Sequence, residues 1–554
     1  LINQKKYGIL FEYPCTEQFQ IDNCYLTTPI LKRLFYLILP VCLFISSCNW
    51  FKSTPEIGLV LAEHFKDKRY KDFDTAKYNM AFRSQLDSMA ANLSNIKIIT
   101  EFYAPDERKA NLVSRFYVNG QLDTLKAFLL RSNEHGFNPK VFAYQKLVQQ
   151  LSSLSANKFK SLDEVYPVIA RLELYSASSL LKYNTFLGYG SINPRKVLNR
   201  YYVTTKRPDK TSMDQVLVNT DLNKLLHDIQ PKSENYKTLQ RQLLSLRKNG
   251  QTDTETTRKL EVNMERLRWQ IPVGKEYVEV NIPDYSLTWF NGTDTVTHMK
   301  VCVGGRRETN YEEKMKVYQV SHQMDDKPKN HQTPILLSKF NAIQVNPVWN
   351  IPVSIAQNEI YVQAMRDPYY LSNNNMKVYY KGRQVNDPDT IQWSRYSRQH
   401  LPFQFKQGSG NGNALGKFKF IFDNGSSIYL HDTNNKSAFN RSTRAISHGC
   451  VRVEKPLEFA EKLVNDPYQF DQLRMEVNLP PVDTTRMVVY RKKLAKKADT
   501  VNVFQLKPKW FGTKKNVYVF INYKTAWTQG GKIEYRDDIY GLDDALYNAM
   551  KKYR

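Results

Sequence analysis

Tyr429-Leu430-His431-Asp432-Thr433, followed by Ile446-Ser447-His448-Gly449-Cys450-Val451-Arg452-Val453, is the stretch on which the reading of this chain turns. Residues 417–422, the turn Asp423-Asn424-Gly425 and residues 427–430 read as a β-hairpin with His431 at its exit. Pro456 opens a helix that runs to about Val464, with Leu457, Ala460, Leu463 and Val464 facing inward. Cys450 therefore stands at a glycine turn between strand and helix. A thiol becomes a strong nucleophile only as a thiolate, an imidazole can take its proton, and N–H groups at a glycine turn can receive an oxyanion. The pattern points to acyl transfer on Cys450, with His431 as base and the turn His448-Gly449-Cys450 as oxyanion hole. A zinc site built from His431, His448 and Cys450 lacks a further Cys/His cluster to support it, so neither metal nor cofactor is expected.

Outward from this stretch the pattern divides in two. Residues 72–270 are mainly helical: Ser161-Leu162-Asp163-Glu164 is a capping box, followed by Val165, Val168, Ile169 and Leu172 at helical spacing. Leu239, Leu243 and Leu246 mark a second helix, and Leu260, Met264 and Leu267 a third. From Ile271-Pro272 the period changes to two, as in Tyr277-Val278-Glu279-Val280-Asn281-Ile282. Asn291-Gly292 signals a hairpin, and residues 517–527 with 532–536 another. The fold class is α+β: a helical N-terminal domain, 72–270, and a β-rich catalytic domain, 271–554. Residues 358–412, rich in Tyr and Asn, interrupt the β pattern and read as an inserted cap or lid or as a decorative loop. The charge run at 491–497 reads as a solvated face.

The N-terminus carries its own signal. Leu31-Lys32-Arg33, an apolar run over 34–45 and Ser46-Ser47-Cys48 have the form of a secretory signal, too short for a comfortable membrane span. Residues 1–30 do not begin with Met and read as an over-extended leader, 31–47 as the signal peptide and 48–71 as a polar tether. Four of the six cysteines lie within the first 48 residues, so the body keeps only Cys302 and Cys450 and no disulfide framework. Cys302, in an apolar run, reads as a buried strand residue. With 80 basic and 54 acidic residues the net charge is +26. Such a balance is either a solvated basic surface or suits an anionic polymer or lipid, and no nucleic-acid motif accompanies it.

The string from His431 through Ser447-His448-Gly449-Cys450 to Arg452 resembles the signature of the L,D-transpeptidases, enzymes that remodel bacterial peptidoglycan. Asn346-Pro347-Val348-Trp349-Asn350-Ile351-Pro352, Asn413-Ala414-Leu415-Gly416-Lys417, Thr443-Arg444-Ala445 and Arg536-Asp537-Asp538-Ile539-Tyr540 are similar to the large periplasmic subclass. That subclass pairs a helical scaffold with a capped catalytic domain. His135-Gly136-Phe137-Asn138-Pro139 and Glu265-Arg266-Leu267-Arg268-Trp269 resemble its scaffold segments.

The resemblance implies that Cys450 attacks the diaminopimelate–D-Ala bond of a tetrapeptide stem. A thioester forms and passes to an amine of an acceptor stem, giving a 3→3 crosslink. It implies carbapenem acylation and no cofactor. Tyr429, Asp432, Ser447 and Arg452 are substrate-binding candidates, with His448 shaping the turn or touching substrate. Ile45-Ser46-Ser47-Cys48 resembles a lipobox, which implies lipidation at Cys48 and a membrane-anchored lipoprotein in the periplasm of a Gram-negative bacterium. Hydrolysis by an L,D-carboxypeptidase would use the same residues, and a non-catalytic wall-binding lipoprotein is the third reading. Two departures stand out. Only residues 248–255 occupy the place where many members insert a peptidoglycan-binding module, and a charged insertion separates Gly304-Gly305 from Thr333-Pro334.

Overall fold

The computed structural model describes residues 56–498 and 506–554. The leader, the signal segment 31–47 and Cys48 lie outside the described residues. The helical part begins earlier than the sequence suggests, with Glu56–Phe65 inside the stretch read as a tether. Ile57, Leu61 and Ala62 are buried on one face of this helix, and Tyr70 and Phe73 follow them into the same core. The apolar spacing at i, i+4 and i+5 overrides the polar surroundings, so the tether reading fails for residues 56–71.

Leu162–Tyr189 is the axis of the helical part. It is apolar nearly all round, burying Val165, Ile169, Leu172, Leu174, Ala177, Leu180 and Leu181 among the surrounding helices. Buried Glu173 on this axis accepts from the N–H groups of Leu112 and Val113, both at 2.8 Å, and from the Tyr103 hydroxyl at 2.6 Å. It thereby satisfies donors that the first turn of helix Asn111–Phe116 leaves open. Glu234–Lys248 and Glu255–Arg268 complete the bundle, and Asn263 and Arg266 join it to the β-rich part. Asn263 exchanges hydrogen bonds with Thr525, and Arg266 pairs with Asp543 at 2.6 Å.

The β-rich part is a ten-stranded sheet. Strands β1 (Glu276–Asn281), β2 (Ser286–Asn291) and β3 (Asp294–Gly304) form a meander turned at Asn291-Gly292. β4 (Leu336–Val345), β9 (Phe418–Phe422), β10 (Leu430–His431), β11 (Ala445–Ser447), β12 (Val451–Val453), β13 (Lys509–Gly512) and β14 (Tyr518–Asn522) complete it. The path β3-β12-β10-β9-β4-β14-β1-β2 returns to β3 as a circuit of eight strands, with β11 added on β3 and β13 on β4. Helix Pro456–Leu463 packs against the inner face, where Phe459 meets the rings of Trp289, Phe340 and Phe420 at centroid distances of 5.5, 5.6 and 4.7 Å. Truncating an aromatic so enclosed costs about 3–5 kcal/mol.

A separate four-stranded sheet forms the cap: β5 (Trp349–Asn350), β6 (Met376–Tyr380), β7 (Arg383–Gln384) and β8 (Phe403–Gln407), in the order β5-β8-β6-β7. It has its own small core, including Ile351, Ile355, Leu371, Val378, Trp393 and Phe405. The cap therefore starts at Trp349, ahead of residue 358, because Ile351 and Ile355 pack into it. The insertion after Gly305 carries an exposed helix, Tyr311–Ser321. The two ends of the insertion meet: a Cβ on Gly304 would lie 1.8 Å from the His331 carbonyl oxygen, so the backbones touch there only because residue 304 is glycine.

Candidate active site

β10 and β12 run parallel and adjacent, with Leu430 opposite Val451 and His431 opposite Arg452. Alternation sorts their side chains. Leu430, Val451 and Val453 enter the core, while Tyr429, His431, Cys450 and Arg452 line a cleft of about 680 Å³ between sheet and cap. β9 extends the row: Lys419 registers with His431, and on the far side Cys302 of β3 registers with Arg452. The residues in line across the sheet are thus Lys419, His431, Arg452 and Cys302, with Cys450 one step along beside Tyr429.

His431 is buried, and its Nδ1 lies 2.5 Å from the carbonyl oxygen of Asp432. A carbonyl only accepts, so Nδ1 carries the hydrogen and Nε2 keeps its lone pair. Burial, then the charges of Arg452, Lys419 and Lys436, pull this imidazole down to about 3, against the lift given by the Asp432 carbonyl. It is therefore neutral at physiological pH. Burial pushes the Cys450 thiol up. The N–H and phenol of Tyr429, together with the charges of Lys419 and Arg452, oppose that and favour the thiolate.

The turn before Cys450 is built around two side chains. The Ser447 hydroxyl donates to the Cys450 carbonyl at 2.6 Å and accepts from the Gly449 N–H at 3.1 Å. Gly449 has φ +123°, which disfavours any residue with a Cβ. Behind it, Thr333 accepts from the Gly304 N–H and donates to the Gly449 carbonyl, both at 2.8 Å. Thus the segment that follows the charged insertion buttresses the turn.

The other sequence candidates fall into place differently. Asp432 does not line the cleft. Its buried carboxylate accepts from the Lys417 N–H at 2.8 Å and the Thr433 N–H at 2.6 Å and pairs with Lys436, so it holds the loop. Ser447 borders the cleft, but its hydroxyl is committed to the turn. Tyr429 faces Cys450, and its phenol also meets the Trp349 indole of the cap. Arg452 lines the cleft, with its Nε buried and without a partner. His448 points to the rim, where its Nε2 and the Glu359 carboxylate of the cap lie 2.5 Å apart and the His331 ring stands 4.4 Å away. Among the described residues no group of His, Cys, Asp or Glu is arranged to hold a metal ion. Cys302 is fully buried beside Ala438 and Phe439, and burial raises its thiol.

Sequence reasoning missed Lys419, Glu359, His331 and Trp349. Lys419 had a signal: Phe418, Phe420 and Phe422 alternate into the core, which puts residue 419 on the face of His431. Glu359 and His331 had none, since each reaches the site from an insertion far away in sequence.

This geometry is matched by relationship. Residues 275–489 match the family described as the L,D-transpeptidase catalytic domain, and residues 97–243 match the scaffold domain family. A Haemophilus influenzae protein described as "Putative L,D-transpeptidase" is 28% identical over 356 residues, 63% of this chain and 62% of that protein. A β-rich domain with a cysteine cleft, joined to a helical scaffold, agrees with these matches: the chain carries an L,D-transpeptidase catalytic domain and a scaffold domain.

Proposed function

We propose that the protein is a peptidoglycan L,D-transpeptidase in which Cys450 is the nucleophile and His431 the general base. The observation that carries this reading is the pairing of β10 with β12. It sets Cys450 and His431 on one face of adjacent strands, at a cleft floor, with the His431 tautomer held by a backbone carbonyl. The thiol proton passes to Nε2 as sulfur attacks the carbonyl carbon of the diaminopimelate–D-Ala bond. The oxyanion is received by turn N–H groups. Because the Gly449 N–H is bound by Ser447, those of His448 and Cys450 serve here. The imidazolium then gives its proton to the departing D-Ala nitrogen, leaving a thioester. An amine of a second stem attacks the thioester, loses its proton to His431, forms the 3→3 crosslink and releases the thiol.

The basic chain and the cationic cleft suit stems that carry carboxylates. Lipidation at Cys48 would hold the enzyme at a membrane facing the periplasm. The test is mass spectrometry of muropeptides after incubation with tetrapeptide donor and acceptor stems. Crosslinked dimers should appear and be lost in Cys450→Ala. Tripeptides without dimers would mean an L,D-carboxypeptidase, and no change at all would mean a wall-binding protein without catalysis.

A further inference from the structure

Lys419 is half-buried in the cleft, with its Nζ 3.9 Å from the centre of the Tyr429 ring. It has no carboxylate partner among the described residues, although its neighbours on the rim pair readily, as His448 does with Glu359. Arg452 is likewise without an acidic partner, and its Nε is buried with no acceptor. The two cations flank His431 across three neighbouring strands, which places their Cα atoms roughly 10 Å apart. Both act electrostatically on Cys450. Arg200 adds a further positive charge to the cleft, whose single carboxylate, Glu359, is engaged by His448. A desolvated cation without a counter-ion is costly. Two of them beside one nucleophile describe a site for an anion.

We propose that Lys419 and Arg452 form a carboxylate-binding site beside Cys450 that takes the free C-terminal carboxylate of the leaving residue, making Lys419 a specificity-determining residue. The inference rests on the reading of Cys450 as nucleophile. An enzyme that breaks the last bond of a stem must distinguish a chain end from an interior bond. With the scissile carbonyl at Cys450 Sγ, the terminal carboxylate lies one residue further along, about 3.8 Å between Cα atoms and within the reach of a lysine. The carboxylate would replace the missing counter-ion for both cations, forming charge-assisted hydrogen bonds. A donor whose terminus is amidated or extended offers no such charge at that point.

The test uses calorimetry on the full chain carrying Cys450→Ala, which cannot acylate. The probes are a tetrapeptide ending in free D-alanine and the same peptide ending in D-alaninamide. The free acid should bind about 10- to 100-fold tighter. Adding Lys419→Met should bring the two within about threefold by weakening the acid alone, and Lys419→Arg should restore most of the preference. The comparison of acid with amide needs no change at Lys419, so it stands even if that variant folds poorly. Equal binding of the two peptides, a preference that survives Lys419→Met, or no measurable binding of either overturns the proposal. An equal loss for both peptides does so too, and would reduce Lys419 to a general part in shaping the cleft. Failure of the transpeptidase reading looks different: unmodified protein would form no acyl-enzyme on Cys450 while the binding preference persisted.

Discussion

At the scale of residues, the unusual feature is an imidazole kept far from its ordinary titration range. His431 is flanked by Lys419 and Arg452, approached by Lys436 and tied to the Asp432 carbonyl, while the Asp432 carboxylate is turned away into the loop. Its folded value of about 3 means that it is in the base form throughout the range from pH 5 to 8. Acidification from 7 to 5 therefore does not remove the base. On the proposed mechanism the Cys450 thiol, pushed up by burial, would be what limits attack at neutral pH. The rate of Cys450 acylation by a carbapenem, followed by intact mass from pH 5 to 8, should show no inflection near 6.5, the ordinary histidine value. It should rise toward alkaline pH as the thiolate gains population, with Cys302 unmodified. An inflection centred near 6.5 would mean that His431 is far better solvated than its neighbours imply. That Cys450 and His431 share one cleft was legible from the sequence because a thiol at a glycine turn and a histidine at a hairpin exit are local patterns. The roles of Asp432 and Ser447 were not, since whether a polar side chain faces a cleft or braces its own loop depends on which neighbours the fold brings within hydrogen-bond reach.

At the scale of elements, periodicity located most strands and helices but not their partners. The segment 517–527 reads as one arm of a hairpin. The structure divides it: Tyr518–Asn522 joins the main sheet between β1 and β4, and only Ala526–Gln529 pairs with Lys532–Tyr535. The break falls at Thr525, drawn into the scaffold by Asn263, a contact no local pattern announces. The capping box at Ser161 is not formed, and its glutamate is used one residue further out. Glu164 accepts from the Lys160 N–H at 2.9 Å, while the Ser161 side chain makes no capping bond. The cap was legible as an interruption, yet not its attachment. Arg398 of the cap pairs with Asp325 of the charged insertion and bonds Asn358, and Glu359 meets His448 two residues from Cys450. The insertion thus has a physical task, bracing the cap from outside. Because Asp325 is largely exposed and Arg398 only half-buried, the pair itself adds little, and Arg398→Ala should leave the global melting temperature almost unchanged. Hydrogen exchange should nevertheless quicken through residues 349–407, and KM for a stem donor should rise more than the rate of β-lactam acylation falls. Unchanged exchange in the cap would show that its own core holds it in place without the insertion.

At the scale of the whole molecule, stability depends on buried ionisable groups in both halves, and these respond to pH in opposite senses. His135 and His431, both held near 3 chiefly by burial, refuse a proton that the unfolded chain accepts below about 6.5. Their contribution is present above that pH and is lost as pH falls. Glu173 runs the other way. Burial raises its carboxyl from 4.5 to about 7, against the hydrogen bonds from Leu112, Tyr103 and Val113. Between those values the folded protein keeps a proton that the unfolded chain releases. Its contribution is therefore complete below 4.5, declines as pH rises, and levels off above about 7. The slope is about 1.4 kcal/mol per pH unit within that window. Glu173→Gln removes the titration while keeping an acceptor for the first turn of helix Asn111–Phe116. Loss of the second carboxylate oxygen lowers stability at acidic pH, but the pH profile should change shape as well as height. Melting temperatures of the unmodified protein and of Glu173→Gln, measured from pH 4.5 to 8, should converge or cross as pH rises, because only the unmodified protein loses stability through this group. Parallel profiles across the window would mean that Glu173 is ionised in the folded state at all these pH values and that its three donors outweigh its burial.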